Sequence, residues 1–370
     1  MKIVEIGSRD FQSITQFHGV VDVVYASDTR FIPYLTDDIE AIFNKELNQN
    51  FKKGGAQRWV VLGDDKRPVG RIAAFYVRRK GKSVGGWGFF ECINDLEVAK
   101  EMIETAENWL QVHKCQRIQA PINFGDRDTF WGLMIENNGI HSYQENYHPA
   151  YYKEMLTSLG YATDFEQSTY EITDDTFNKE RFERIAERTL GNSEYEYRCL
   201  EFGKLQQFAT DFTTVYNDAW SFHEDFEPLE VSKVLERFKK MKPAIIPSLV
   251  VFAYHKNVPI GFYVNILELN TLFKEFGGTL NLVNKLKFMM RKNTLTRIKG
   301  VVFGIVTSHQ NKGVEAGLIM KTYGEAKKLK KITSMELAWI GDFNPKMISM
   351  LTAMGAVPIK KHITYFKEIV

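Results

Sequence analysis

The stretch with the richest chemical possibilities runs from Val301 into a helix that starts at Val314. Val301-Val302-Phe303-Gly304-Ile305-Val306 is dominated by β-branched and aromatic residues and predicts a strand. Thr307-Ser308-His309-Gln310-Asn311-Lys312-Gly313 is a polar turn, and Val314 to Leu329 carries apolar residues at helical spacing. A strand, a glycine-containing turn and a helix start, in that order, leave several backbone N–H groups without intrahelical partners at the positive end of a helix dipole. Such a place can hold a pyrophosphate.

Other residue types invite chemistry less directly. Tyr143-Gln144-Glu145-Asn146-Tyr147-His148-Pro149-Ala150-Tyr151-Tyr152 concentrates rings and hydrogen-bonding groups in a loop entering a helix, a composition suited to a ligand cleft. Tyr143, Asn146 and Tyr151 are the substrate candidates there, and Trp220 is a further one that core packing would equally explain, as it would Trp131. His223 with Glu224 and Asp225, and His148 alone, lack the spacing that puts two histidines on one helix face, so no metal site is expected. Lys327-Lys328-Leu329-Lys330-Lys331 ends a helix, where cations are favourable. The basic stretch 285–299 is denser than a solvated face requires and could attract an acidic lipid surface or a ligand phosphate.

The bulk numbers set the frame for these elements. A chain of 370 residues with 44% hydrophobic and 25% charged residues is globular and long enough for two domains, each with its own core. Lys and Arg number 48 against 46 Asp and Glu, so no strong field calls for nucleic acid as a partner. Cys92, Cys115 and Cys199 lie far apart, which speaks against a disulfide framework or a zinc knuckle and fits a reducing cytoplasm. Met1-Lys2-Ile3-Val4-Glu5-Ile6 reads as a strand start rather than an export signal, and no apolar run reaches the length of a membrane span.

An internal repeat organises the chain. Val24-Tyr25 and Pro68-Val69-Gly70 recur at one constant spacing as Val215-Tyr216 and Pro259-Ile260-Gly261. Met155-Leu156-Thr157-Ser158-Leu159-Gly160 recurs as Met350-Leu351-Thr352-Ala353-Met354-Gly355, four positions later than that spacing, which implies four extra residues in the second copy. Tyr170 and Tyr365 follow the two glycines at equal distance. Each copy predicts a hairpin (59–62 with 69–77; 248–254 with 260–267), then a strand and a long amphipathic helix (95–112; 314–329), then a strand and a helix ending at glycine. Domains are accordingly expected at 1–176 and 195–370, joined by a helical segment at 177–194 that Gly191-Asn192-Ser193 would stop.

At Gln310-Asn311-Lys312-Gly313-Val314-Glu315 the sequence resembles the acyl-CoA signature of the Gcn5-related N-acetyltransferases, which runs Gln or Arg, two further residues, Gly, one further residue, and then Gly or Ala. The downstream segments 332–339 and Asn344-Pro345 to Gly355 resemble that family's next strand and helix. Over nearly its full length the chain resembles a family of tandem acetyltransferase-like bacterial proteins, in copy one at Gly88-Phe89-Phe90-Glu91, Ala120-Pro121-Ile122-Asn123 and Pro149-Ala150-Tyr151-Tyr152. The fold this implies is α/β with a mixed sheet, two acyltransferase folds in tandem. The resemblance implies acetyl-CoA or another acyl-CoA held by Ile305, Val306, Thr307, Gln310, Asn311, Lys312, Gly313, Val314 and Asn344, with amides near Ile305 to Thr307 as an oxyanion site.

It further implies Glu336 as general base with Asp342 behind it, and Tyr365 as a stand-in for the family's thiolate acid, since Leu351 occupies the usual tyrosine position. Asn123 joins the substrate candidates. Glu315 stands where Gly or Ala is usual and would repel a pyrophosphate if it faced the loop. In copy one the corresponding stretch is Ile93-Asn94-Asp95-Leu96, acidic and without glycine, so no CoA is expected there. The activity expected is transfer of an acyl group from acyl-CoA to an amine of a small molecule or peptide. Its competitors are an inactive binding scaffold, and aminoacyl transfer from a charged tRNA, which would call for a broad basic face.

Overall fold

A computed structural model describes residues 1–125, 127–222 and 226–369. The first copy comprises β1 (Lys2–Glu5), α1 (Phe11–Val24), α2 (Thr36–Phe43), β2 (Gly54–Leu62), β3 (Pro68–Arg79), β4 (Lys82–Cys92), α3 (Leu96–Val112), β5 (Cys115–Ala120), β6 (Leu133–Asn137), α4 (Tyr152–Ser158) and β7 (Ala162–Thr173). After α5 (Lys179–Leu190) the second runs β8 (Tyr195–Cys199), α6 (Leu205–Ala219), α7 (Val231–Met241), β9 (Val250–His255), β10 (Val258–Leu267), α8 (Asn270–Phe273), α9 (Leu282–Arg291), β11 (Arg297–Ile305), α10 (Val314–Lys328), β12 (Ser334–Gly341), α11 (Pro345–Met354) and β13 (Val357–Glu368).

Local chemistry sets several of these boundaries. Asp95 caps α3 by accepting from the amides of Glu97 and Val98, and Asn344 caps α11 by accepting from Met347. Gly355 ends α11 at φ 84°, where a Cβ would come within 1.8 Å of the Thr176 carbonyl. That contact and the left-handed backbone together exclude any larger residue.

The thirteen strands of the described residues form one sheet, in the order β1-β2-β3-β4-β5-β13-β7-β12-β11-β10-β9-β8, with β6 beside β13. The first four strands of each copy are antiparallel, and β4–β5 and β11–β12 are the parallel pairs crossed by α3 and α10. The last strands change sides. β13, the end of copy two, pairs with β5 of copy one, while β7, the end of copy one, pairs with β12 of copy two, and the two pair with each other between.

The cores follow that exchange. Ile363 and Tyr365 of β13 are buried with α3, α4 and β4 of copy one, whereas Tyr170 and Ile172 of β7 are buried with Phe182, Leu337 and Met354 around copy two. Each such side chain contributes about 1.5–3 kcal/mol of burial to the other copy's core. Strands from either side of the expected 176/195 division therefore share both cores.

The net offset of four residues hides two larger insertions. In copy one β3 and β4 meet in a tight turn at Lys80-Gly81, both at positive φ, while copy two places α8 and α9 between β10 and β11. Copy one in turn has a long connection with β6 between β5 and α4, where copy two passes from β12 to α11 almost directly. Among the described residues, no helix is long and apolar enough to cross a membrane.

Candidate functional site

β11 and β12 run parallel from Arg297↔Ser334 to Gly300↔Leu337 and then part, so Val301–Ile305 leaves its partner and opens a fork. At the mouth of the fork a short 3-10 turn, Thr307–His309, leads through Gln310 and Asn311 to Gly313, which sits at φ 91° at the start of α10. A Cβ on Gly313 would meet the Ile185 carbonyl at 3.0 Å, so glycine is required by both backbone and space. The amides of Lys312, Gly313, Val314, Glu315 and Ala316 have no intrachain acceptor among the described residues.

Four carboxylate or carbonyl groups already engage neighbouring donors. Glu315 folds back so that Oε1 accepts from the Asn311 amide at 2.8 Å, and Asp218 Oδ1 accepts from Thr307 at 2.7 Å. The Val306 amide donates to the Ile260 carbonyl, and Gln310 Nε2 to Ile305. The amides of Val306 and Thr307, expected to form an oxyanion site, are thus spoken for: β10 and the end of α6 pack against the strand end and take them.

Cations also gather at the loop. The stem of Arg188, near the end of α5, lies against Gly313, Thr189 Oγ1 reaches the Gly313 carbonyl, and Lys312 is exposed. Burial and the nearby charges of Lys312 and His255 hold the His309 ring below its ordinary pKa. A chain of side chains, Ser308 to His309 to His255 to Glu194, spans the outer side of the turn at 3.0, 3.4 and 3.3 Å. Arg188 was not legible from the sequence, because α5 reads only as a linker until it packs on α10.

A second polar assembly lies at the foot of the fork, on the sheet face opposite α10. Glu336, one residue below the parting point, is wholly buried. It accepts from Lys360 of β13 at 2.7 Å and from the Ser142 hydroxyl at 2.5 Å, with Arg297 and Lys299 each 3.7 Å away. Lys360 also donates to Glu145 at 2.7 Å. Burial would push the Glu145 carboxyl up, but Lys360, His362 and Lys299 outweigh it and hold it well below the usual range. For Lys360 burial works downward, and Glu145 and Glu336 reverse it, so the ammonium stays charged.

The other expected residues fall in different places. Asp342 is exposed at the far end of β12, exchanging hydrogen bonds with the backbone of Glu166, and Asn344 spends its side chain on the α11 cap. Tyr365 does not approach the fork: strand exchange puts it opposite Ala120 in the core of copy one, its hydroxyl buried without a partner, and Tyr170 occupies the equivalent place in copy two. Trp220 does lie at the site, stacked on Tyr216 at 4.4 Å and covering Gly304 near the end of β11.

Asn146 donates to the Gly132 carbonyl and receives His362 on its own carbonyl, while Tyr143 donates to Asp38 and rests on Phe273. Tyr151 donates to the Cys92 carbonyl, and Asn123 donates to Thr129 with its Oδ1 buried and unpaired. The structure thus joins Glu336 to the 142–146 segment of copy one, and leaves Tyr151 and Asn123 in copy one's own packing. In copy one β4 and β5 pair as far as Gly86↔Gln119, Ile122 donates to the Trp87 carbonyl, and Tyr152 takes the Cys92 amide at the end of β4. Residues 223–225 lie outside the described ones; among those described, no group of His, Cys, Asp and Glu is arranged to hold a metal.

A mixed sheet with a parallel strand pair crossed by a helix, built twice in one chain and opening onto a glycine turn in the second copy, is the fold of the Gcn5-related N-acetyltransferases in tandem. No family model matches the chain. A tandem protein of this kind from the clavulanic acid biosynthesis pathway superposes with a TM-score of 0.59 over 99% of this chain and 98% of that one, at 10% identity. A Gcn5-related N-acetyltransferase from Sphaerobacter thermophilus does so with a TM-score of 0.52 over 99% and 95%, also at 10% identity. A glucosamine N-acetyltransferase region in a fungal multi-domain β-N-acetylglucosaminidase gives 0.59 at 9% identity, with 99% of this chain matched to 38% of that much longer one. By sequence, protein YghO of Escherichia coli strain K12 is 22% identical over 316 residues, 81% of this chain and 79% of YghO.

Proposed function

We propose that the chain is an acyltransferase that moves an acyl group, in the simplest case acetyl, from acyl-CoA to an amine of a small molecule or peptide, with CoA on the second copy. The observation that supports this most directly is the fork between β11 and β12 opening onto five unpaired amides at the start of α10. Acyl-CoA supplies the activated acyl carbon. The amides of residues 312–316 are suited to its diphosphate, Arg188 and Lys312 to its remaining negative charge, and the free edge of Val301–Ile305 to its amide-bearing arm.

Glu336 is the proposed base, one residue below the fork. Ser142 and Lys360 hold it in the resting state, so an acceptor amine has to take the place of the Ser142 hydroxyl to reach it. Asp342 and Tyr365 have no part in this reading. The three cysteines are unpaired, Cys92 and Cys115 buried and Cys199 half-buried, which supports a reducing cytoplasm as the setting.

Calorimetry with acetyl-CoA and longer acyl-CoA esters, followed by thiol release with a panel of amines, tests the proposal. Micromolar binding with amine-dependent thiol release, and loss of turnover but not of CoA binding in Glu336→Gln, is the expected result. Absence of heat with every CoA species overturns it. A binding scaffold is the second reading, favoured by Glu315 on the Asn311 amide and by Leu351, buried at 3% exposure in place of a thiolate acid.

A further inference from the structure

One large difference between the two copies lies between their third and fourth strands, where a two-residue turn at Lys80-Gly81 is replaced in copy two by residues 268–296. That insertion packs Leu269, Leu272, Phe273, Phe276, Phe288 and Leu295 into a small core that it shares with Leu35, Ala244, Leu249, Leu267 and Ile298. α9 is fixed on it. Asn281 caps its first turn, and Asn284 points inward to donate to the carbonyls of Phe276 and Thr279, so the helix cannot roll about its axis without breaking both.

With Asn284 and Phe288 inward, the outward face is apolar. Leu282 is 85% exposed, Val283 and Leu286 61%, Met290 64% and Met289 52%. At about 100° per residue these five fall in a single arc of about 120°. Lys287 lies on one margin of that arc and Lys285 on the other. The one carboxylate in residues 269–296, Glu275, is bound by Arg291, and Lys331 beside Lys292 adds to the positive rim.

We propose that α9 docks the protein on an anionic lipid surface. Its leucines and methionines enter the boundary between headgroups and acyl chains while Lys285 and Lys287 meet the lipid phosphates. A second copy of the chain on this face would set the same lysines against one another, whereas an anionic bilayer answers both the apolar arc and its cationic margins. This proposal is independent of the acyl-transfer reading.

The test is flotation of the full chain with vesicles of phosphatidylcholine alone, and with about one-third phosphatidylglycerol, at low and high salt. The wild type is expected to float with the anionic vesicles at low salt and to be released by salt. Leu286→Glu/Met290→Glu and Lys285→Glu/Lys287→Glu should each lower partitioning about tenfold, with unchanged circular dichroism and melting because the positions are exposed. Failure of the wild type to float, or equal flotation by either variant, overturns the proposal. So does a concentration-dependent dimer that Leu286→Glu dissolves, which would assign the face to a second copy.

Discussion

Replacing Glu315 with Ala separates the transferase reading from the scaffold reading. In the structure the carboxylate occupies the Asn311 amide at 2.8 Å and sits within the first turn of α10, where a diphosphate would bring like charge beside it. Two unit charges about 4 Å apart repel by about 4 kcal/mol at an effective dielectric of about 20 and by about 1 kcal/mol in water. Glu315 is half-buried, so the relief lies toward the lower figure, about 1.4 kcal/mol, or about tenfold in affinity. Against this, losing the hydrogen bond to the Asn311 amide costs about 1 kcal/mol of stability, which in a chain of this size lowers the melting temperature by about 2 °C. Isothermal calorimetry should therefore show Glu315→Ala binding acetyl-CoA about tenfold tighter than wild type, although it melts slightly earlier. A variant that melts earlier and binds no tighter would show that this helix start is not a diphosphate site.

Arg188→Glu should weaken acetyl-CoA binding about tenfold by titration with little change in melting, because its side chain is exposed and its stem touches Gly313. Burial, opposed by Arg71, raises the Glu91 carboxyl to about 7. Its folded pKa lies above the unfolded value, so its contribution is full below about pH 4.5 and lost as pH rises through about 7; chemical denaturation should show a decline of about 3 kcal/mol over that window that Glu91→Gln removes. Lys360→Met should cost about 3–5 kcal/mol in the same assay, because it leaves Glu145 and Glu336 buried without their cation, and adding Glu145→Gln and Glu336→Gln should recover most of it. Tyr365→Phe removes a buried hydroxyl without a partner and should leave stability unchanged or raise it by about 1 kcal/mol, with acetyl-CoA binding unaltered.

Local signals in the sequence carried much of this architecture. The helix of copy one beginning after Asp95 and the strand and polar turn before Gly313 stand where hydrophobic period and turn residues put them, and the helix between Asn344 and Gly355 stands where the resemblance and its closing glycine put it. The resemblance at Gln310 to Gly313 carried the place of the loop. The loop's internal bonds were harder to read: Glu315 as a carboxylate near a phosphate site was visible, but its contact with Asn311 depends on the positive φ of both Asn311 and Gly313.

What local signals could not carry is which sheet a strand joins. β7 and β13 are both twelve residues long, and each begins two residues after the glycine that follows a helix. Nothing in either segment distinguishes β5 from β12 as its partner, and only the closed packing of both copies makes the exchange favourable. This is why Tyr365 was expected beside the fork and why Lys360, the partner of Glu336, was not singled out: a side chain on β13 belongs to copy two by sequence and to the junction by contact. The same exchange links the two halves thermodynamically. Cutting the chain between them would leave β5 and β12 as open edges and strip Tyr170 and Ile172 from one core and Ile363 and Tyr365 from the other, so the copies are expected to fold together rather than as independent modules.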